Sequence, residues 1–116
     1  MSRQKKKGTA FETAVAEYLA GALGVEVRRN PLMASLDQGD LYGVFHHGKH
    51  FVIECKDYSG KYELAQWLSE LQREMECSDT DEGAVVFHRS GVGAKSMGEQ
   101  GVFMSLETLC RILEDE

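Results

Sequence analysis

Apolar positions along this chain alternate between helical and strand-like rhythms. Phe11, Val15, Tyr18, Leu19, Ala22 and Leu23 recur every three or four residues, the spacing of one helix face. Thr9-Ala10-Phe11-Glu12 has the form of a capping box to open that helix, and Gly24 stands where a left-handed residue would close it. At about 100° per residue, Glu12 falls within the arc of Val15, Leu19 and Leu23, whereas Glu17 projects to the opposite side. A carboxylate there either reaches back to the Thr9 amide or points into a site, and periodicity leaves both readings open. Val25 to Arg29 reads as a short strand stopped by Asn30-Pro31, because proline cannot donate to a ladder, and 31–38 reads as a loop. Gly39 to Phe45, a turn at His46-His47-Gly48-Lys49 and His50 to Lys56 then read as a β-hairpin. Strand side chains alternate faces, so Val52, Glu54 and Lys56 share one face, and Phe51, Ile53 and Cys55 the other. Asp40, Tyr42 and Val44 likewise face together. Pairing of the two strands sets Asp40 beside Glu54.

Asp57 to Lys61 is turn chemistry. From Tyr62 to about Cys77 the rhythm is helical, with Leu64, Leu68, Leu71 and Met75 on one stripe and Gln66, Ser69 and Arg73 on the other side. Trp67, beside the stripe, reads as core or as an interface anchor. The acidic segment from Ser78 to Gly83 lacks the spacing and closing glutamate of a calcium loop and reads as solvated. Ala84 to His88 is a buried-type strand. Arg89 to Ser96 lacks the glycine that a Walker A loop places before its lysine, and no helix follows. It reads as a flexible loop whose Arg89 and Lys95 suit phosphate contacts. Val102 to Ser105 is a last strand, and Leu106 to Leu113 a last helix begun by Ser105. The order (helix, three strands, helix, two strands, helix) predicts an α/β fold: one domain over 1–116 with a central mixed β-sheet flanked by helices. Residues 1–7 read as a flexible basic tail.

Charge changes this picture once it is divided along the chain. The net charge is -6, but residues 1–61 hold nine Lys/Arg against seven Asp/Glu, and residues 62–116 hold four against twelve. Metal neutralisation of Glu12, Asp40 and Glu54 would leave the first half distinctly basic, through Arg3, Lys5, Lys6, Lys7, Arg28, Arg29, Lys49, Lys56 and Lys61. That permits a nucleic-acid partner, while a solvated tail and scattered surface charge explain the same numbers. Cys55, Cys77 and Cys110 form no CxxC pair, which fits a reducing compartment rather than a disulfide framework or a structural zinc site. No apolar run approaches the roughly 18 residues of a membrane span, and no signal-type segment follows the basic N-terminus. The expectation is a cytoplasmic protein without a membrane partner.

The hairpin carries the candidate chemistry. Two carboxylates and a lysine converging at a sheet edge suit a hard divalent cation and a phosphate. The plainer reading of Glu54 and Lys56 is a cross-strand ion pair worth at most about 1 kcal/mol. Asp37 lies close enough to compete with Asp40. His46, His47 and His50 could bind zinc, yet they lack a second cluster and read as hairpin-tip surface residues open to DNA contact.

Laid end to end, the helical Glu12, Gly39-Asp40, Glu54-Cys55-Lys56 and the strand–helix order around them resemble the PD-(D/E)xK nuclease superfamily. Lys7-Gly8-Thr9-Ala10-Phe11-Glu12 resembles the opening of archaeal-type Holliday-junction resolvases. Leu64-Ala65-Gln66-Trp67-Leu68 and Val85-Val86-Phe87-His88-Arg89-Ser90-Gly91-Val92-Gly93 resemble small phage-encoded resolvases of actinobacterial viruses. The resemblance covers nearly the whole chain. Gln38-Gly39 precede Asp40 where the superfamily name has proline, and Gln66 stands where the phage relatives carry glycine. The resemblance implies a restriction-endonuclease-like αβββαβ core and a Mg²⁺- or Mn²⁺-dependent endonuclease that cuts branched DNA, a Holliday-junction resolvase. Asp40 and Glu54 would hold the metal, the Cys55 carbonyl would add a ligand, and Glu12 would complete the shell directly or through water. Lys56 would hold or help deprotonate the attacking water and offset phosphate charge. Lys5, Lys6, Lys7, Arg28, Arg29, Lys61, Arg89 and Lys95 would contact the nucleic acid. A homodimer would match the two-fold symmetry of a four-way junction, in a prokaryotic or phage-infected cell. The alternatives are another nuclease of the superfamily (RecB-like exonuclease, restriction or repair type), a non-catalytic subunit that binds DNA structure, and an α/β domain whose Glu-x-Lys is structural.

Overall fold

The computed structural model describes residues 3–30, 39–58 and 61–114, with side chains from residue 8 onward. Helix α1 spans Arg3–Leu23, so Thr9 lies inside it and the expected capping box is not its start. Arginine, lysine and glutamine are strong helix formers, and from Arg3 the backbone expected as a tail is helical. Gly24 ends the helix as expected. It sits at φ +69 and donates its N–H to the Ala20 carbonyl at 2.9 Å.

Strand β1 is Arg28–Arg29 and β2 is Leu41–Tyr42. Pro31 to Gln38, including Asp37, lie outside the described residues. The expected hairpin forms, but it is divided. Phe45–His46 (β3) and Lys49–His50 (β4) make a separate two-stranded ribbon, and Val52–Lys56 (β5) returns to the main sheet. Gly43 explains the division. At φ +125 it packs so closely on the residues leading into β1 that a Cβ would stand 2.2 Å from the Glu26 carbonyl oxygen, so only glycine lets the chain turn off there. The ribbon closes through His47 and Gly48, at φ 56 and 77, the paired left-handed conformations of a type I′ turn.

Helix α2, Leu64–Cys77, crosses over to β6, Gly83–Phe87, which runs parallel to β5. A 3₁₀ segment at Ala94–Glu99, strand β7 (Gly101–Phe103) and helix α3 (Leu106–Leu113) complete the chain. Ser105 caps α3 as expected, its Oγ accepting the Thr108 N–H at 3.1 Å. The sheet order β1-β2-β5-β6-β7 is mixed, with only the β5–β6 pair parallel.

Both faces of the central strands are covered, as the apolar runs of a parallel pair require. On one face Phe51, Ile53, Ala84, Val86 and Leu41 pack against Phe11, Val15 and Ala16 of α1. On the other, Val52 and Val85 pack against Trp67 and Leu71 of α2. Trp67 is therefore core rather than an interface anchor, lying among Tyr58, Tyr62 and Phe87. Leu64, expected on the buried stripe, is exposed at the first turn of α2.

Two expected loops are ordered differently. In the segment read as solvated, Thr80 and Glu82 are buried, because Glu82 leads directly into β6 and its carbonyl accepts the Val52 N–H at 3.1 Å. The segment read as flexible is pinned by Gln100, whose Oε1 accepts the Arg89 N–H at 2.8 Å and whose Nε2 donates to the Val92 carbonyl at 3.2 Å. Among the described residues no helix is long and apolar enough to cross a membrane.

Candidate metal centre

The site grows from the register of β2 on β5. Leu41 pairs with Ile53, and the Asp40 N–H donates to the Ile53 carbonyl at 2.8 Å. β2 begins only at Leu41, so the next amide of β5 has no strand to meet. Asp40 fills that place with its side chain, Oδ2 accepting the Cys55 N–H at 2.7 Å. This bond fixes the carboxylate beside Glu54. It also indicates where the Cys55 carbonyl points: N–H and C=O of one strand residue face the same neighbour, here the edge beyond Asp40.

Glu54 alternates to the α2 face with Val52 and Lys56 and is only 7% exposed. Its Oε2 is buried and takes no hydrogen bond. Burial, then the charge of Asp40, then a side-chain hydrogen bond with Glu74 and its charge, push the Glu54 carboxyl up to about 10. Burial pushes Asp40 up to about 6, with Glu12 and Glu74 adding to it, against the opposing Cys55 N–H and Lys56. Burial also raises the Cys55 thiol. Burial leads in all three, and the charges of neighbouring carboxylates add to it against the opposing ammonium of Lys56.

That ammonium is Lys56, whose Nζ donates to Glu70 Oε1 at 2.8 Å. Burial alone would lower the Lys56 pKa, but the Glu70 bond and the charges of Glu70 and Glu54 outweigh it and raise the group above its ordinary value. Glu70 is correspondingly lowered, first by Lys56 and then by Gln66, whose Nε2 donates to Glu70 Oε2 at 3.1 Å. Glu12 stands at the other margin, 3.0 Å from Arg29 Nε, and acts on Asp40 through its charge.

Asp40, Glu54, Lys56 and Glu12 are thus brought together. Sequence reading missed Glu70 and Glu74. The signal was available: with Gln66 they recur at i, i+4 on α2, flanking the buried Trp67 and Leu71.

The cationic set is less uniform. Arg28 is exposed on the sheet's edge strand, Arg29 is engaged by Glu12, and Lys61 is exposed. Arg89 follows His88, whose N–H donates to the Lys56 carbonyl, so it lies at the Lys56 end of the sheet. Its Nη1 donates to the Glu99 carbonyl. Lys95 belongs instead to a shallow cleft of about 500 Å³ between α1 and the 3₁₀ segment, lined also by Tyr18 and Glu99. The side chains of Lys5, Lys6 and Lys7 lie outside the described set.

The histidines divide. His50 sits between Tyr42 and Phe45, with ring centroids 5.3 and 5.8 Å away, and burial lowers its pKa. His46 and His47 instead converge on Glu82. The expectation of simple hairpin-tip surface residues therefore fails for His46 and His50, because the ribbon folds back onto protein.

The carboxylate cluster fits a hard divalent cation on its own chemistry. It offers oxygen donors, a buried Glu54 oxygen without a hydrogen bond and acidic groups whose raised affinity for protons shows that the pocket favours added positive charge. No protein-family model, curated protein or solved structure matches this chain.

Proposed function

We propose that this protein is a metal-dependent endonuclease of the PD-(D/E)xK type that cleaves phosphodiester bonds in branched DNA, as a Holliday-junction resolvase. The observation that carries the reading is the convergence of Asp40 and a buried, under-bonded Glu54 beside the Lys56 ammonium. The element order supports the reading once the β3–β4 ribbon is set aside: a helix, three antiparallel strands, a crossover helix and a strand parallel to the third are what an αβββαβ core would require.

Asp40, Glu54 and the Cys55 carbonyl would hold Mg²⁺ (or Mn²⁺), with Glu12 or Glu74 reaching it through water. When bound, the ion supplies Lewis-acid polarisation of the scissile phosphate and acidifies the attacking water. Lys56, held protonated by Glu70, would donate to that water or to a phosphate oxygen and offset developing charge. Its raised pKa favours this role over proton abstraction. Arg28 and Arg89 would steer the polyanion. Resolution requires two opposed cuts, so one site per subunit of a homodimer supplies the matching symmetry.

The test is Mg²⁺-dependent nicking of a synthetic four-way junction. Asp40→Ala, Glu54→Ala or Lys56→Ala should abolish cleavage while leaving junction binding intact. Full activity in the Lys56→Ala protein would sink the mechanism. Equal cutting of linear duplex would move the protein to another branch of the superfamily. Junction binding without metal-dependent cleavage would leave the non-catalytic reading.

A further inference from the structure

We propose that His46, His47 and Glu82 form a second, separate metal site for a borderline divalent transition ion of the Zn²⁺ class. The ligand atoms of these three residues all lie within 4.8 Å of one another. His46 Nδ1 is 2.5 Å from Glu82 Oε1, and His47 Nδ1 is 3.5 Å from Glu82 Oε2. In a tetrahedral zinc site with ligand bonds of about 2.1 Å, neighbouring donors stand about 3.4 Å apart. Small side-chain adjustments bring the three donors to that spacing.

The backbone creates this convergence. Adjacent residues of a regular strand point to opposite faces, so a His-His pair in a strand cannot bind one ion. Here β3 ends at His46, and His47 takes φ 56 in the type I′ turn, which breaks the alternation. The two rings come together with centroids 3.8 Å apart. Glu82 approaches from a segment 36 residues away. It is only 3% exposed, its N–H donates to Thr80 Oγ1 at 3.3 Å and its carbonyl accepts from Val52. The carboxylate is therefore presented by a fixed backbone, and buried carboxylates are usually either paired or metal-bound.

The donor set selects the ion class. Two imidazoles and one carboxylate suit Zn²⁺, Cu²⁺ or Ni²⁺, whereas Mg²⁺ prefers oxygen donors. Three protein ligands leave a fourth position for water. The ion would tie the ribbon tip to the start of β6. Because Gly83 pairs with Val52, this site lies at the opposite end of β5 from Lys56. It does not depend on the nuclease reading.

The experiment is titration of the full-length protein with Zn²⁺ by calorimetry, in millimolar Mg²⁺ to occupy any hard-cation site. A parallel Co²⁺ titration reads the visible absorption of a tetrahedral ion. Wild type should bind one equivalent of Zn²⁺ and develop the Co²⁺ band. His47→Asn keeps a residue that tolerates positive φ, so the turn should survive; its Zn²⁺ affinity should fall roughly a hundredfold and the band should vanish. The Asp40→Asn/Glu54→Gln protein should bind Zn²⁺ as wild type does. Equal Zn²⁺ affinity in wild type and His47→Asn would overturn the proposal and leave an ion pair only. Loss of Zn²⁺ binding in Asp40→Asn/Glu54→Gln, with retention in His47→Asn, would overturn it by placing the ion at the other end of β5.

Discussion

Two buried glutamates belong to the same pair of central strands, Glu82 just before β6 and Glu54 midway along β5, and they are buried for opposite reasons. Glu82, 3% exposed, is met by two imidazoles that complement it. Glu54, 7% exposed, is met by Asp40 and Glu74, and one of its oxygens takes no hydrogen bond. Burial alone therefore does not identify a functional carboxylate. In the Glu82 cluster the carboxylate finds polar partners in the two imidazole rings, so the cluster contributes to stability as it stands. The Glu54 cluster gathers acidic groups that cannot all ionise together without cost, and such strain concentrates at sites waiting for a ligand.

This contrast yields opposite signs for the same substitution. Glu54→Gln should abolish Mg²⁺-dependent cleavage, by roughly a thousandfold or more, yet raise the melting temperature of the metal-free protein by several degrees. The neutral amide mimics the protonated acid that the pocket prefers at neutral pH. Glu82→Gln should do the reverse, destabilising by about 1–3 kcal/mol because the histidines lose their carboxylate, with cleavage retained wherever the protein remains folded. Melting curves and junction nicking on both variants decide the matter. A lower melting temperature for metal-free Glu54→Gln would remove the claim that this end of the sheet is electrostatically strained.

The same contrast sets the pH dependence of the metal-free protein. Asp40 and Glu54 hold their protons more tightly folded than unfolded, so their contribution to stability is fully present below about pH 4. It is lost as pH rises through about 6 for Asp40 and on toward 10 for Glu54. In chelator, stability should fall between about pH 5 and pH 8, by a few kcal/mol at most. Saturating Mg²⁺ should flatten or invert the slope, because the cation replaces the protons. A metal-free melting temperature that rises over this interval would contradict the assignment.

The sequence shows the strand end of this site more clearly than the helix end, and the reason is physical. Hairpin pairing follows from alternation and a glycine turn, so a juxtaposition of Asp40 and Glu54 follows from the sequence as soon as the two strands pair. The division of the hairpin does not, because it depends on Gly43 touching Glu26 and Val27, a contact set by tertiary packing. The start of α1 lies upstream of its local capping motif, Thr9 to Glu12, because the residues before it are themselves helix formers. Glu70 and Glu74 do not stand out in the sequence alone, because glutamates on the polar side of a helix are ordinary. Only the crossover of α2 above β5 turns that flank toward Lys56. Glu82 was hidden for a similar reason: its burial depends on the parallel pairing of β5 and β6, which lies outside the reach of local pattern.

Glu70→Gln tests the helix contribution. Without its carboxylate partner, Lys56 keeps burial as the main influence on its pKa, so the ammonium should titrate lower. Cleavage should fall about tenfold, and the alkaline limb of its pH profile should move down. An unchanged profile would mean that Lys56 does not need Glu70 to remain charged.

Gln66→Ala should have the smallest effect, and its size separates two roles for this residue. Gln66 is exposed and donates to Glu70 Oε2 at 3.1 Å, while the opposite oxygen, Oε1, holds Lys56 at 2.8 Å. As a positioning residue it only steadies the Glu70 rotamer, and an exposed hydrogen bond of that kind contributes about 1 kcal/mol or less. Nicking should therefore slow by no more than about fivefold, with the pH profile moving in the same direction as in Glu70→Gln but less. A loss as large as that of Glu70→Gln, with no shift in the profile, would instead assign Gln66 a direct contact with the DNA. The strained end of the sheet would then extend one turn further along α2.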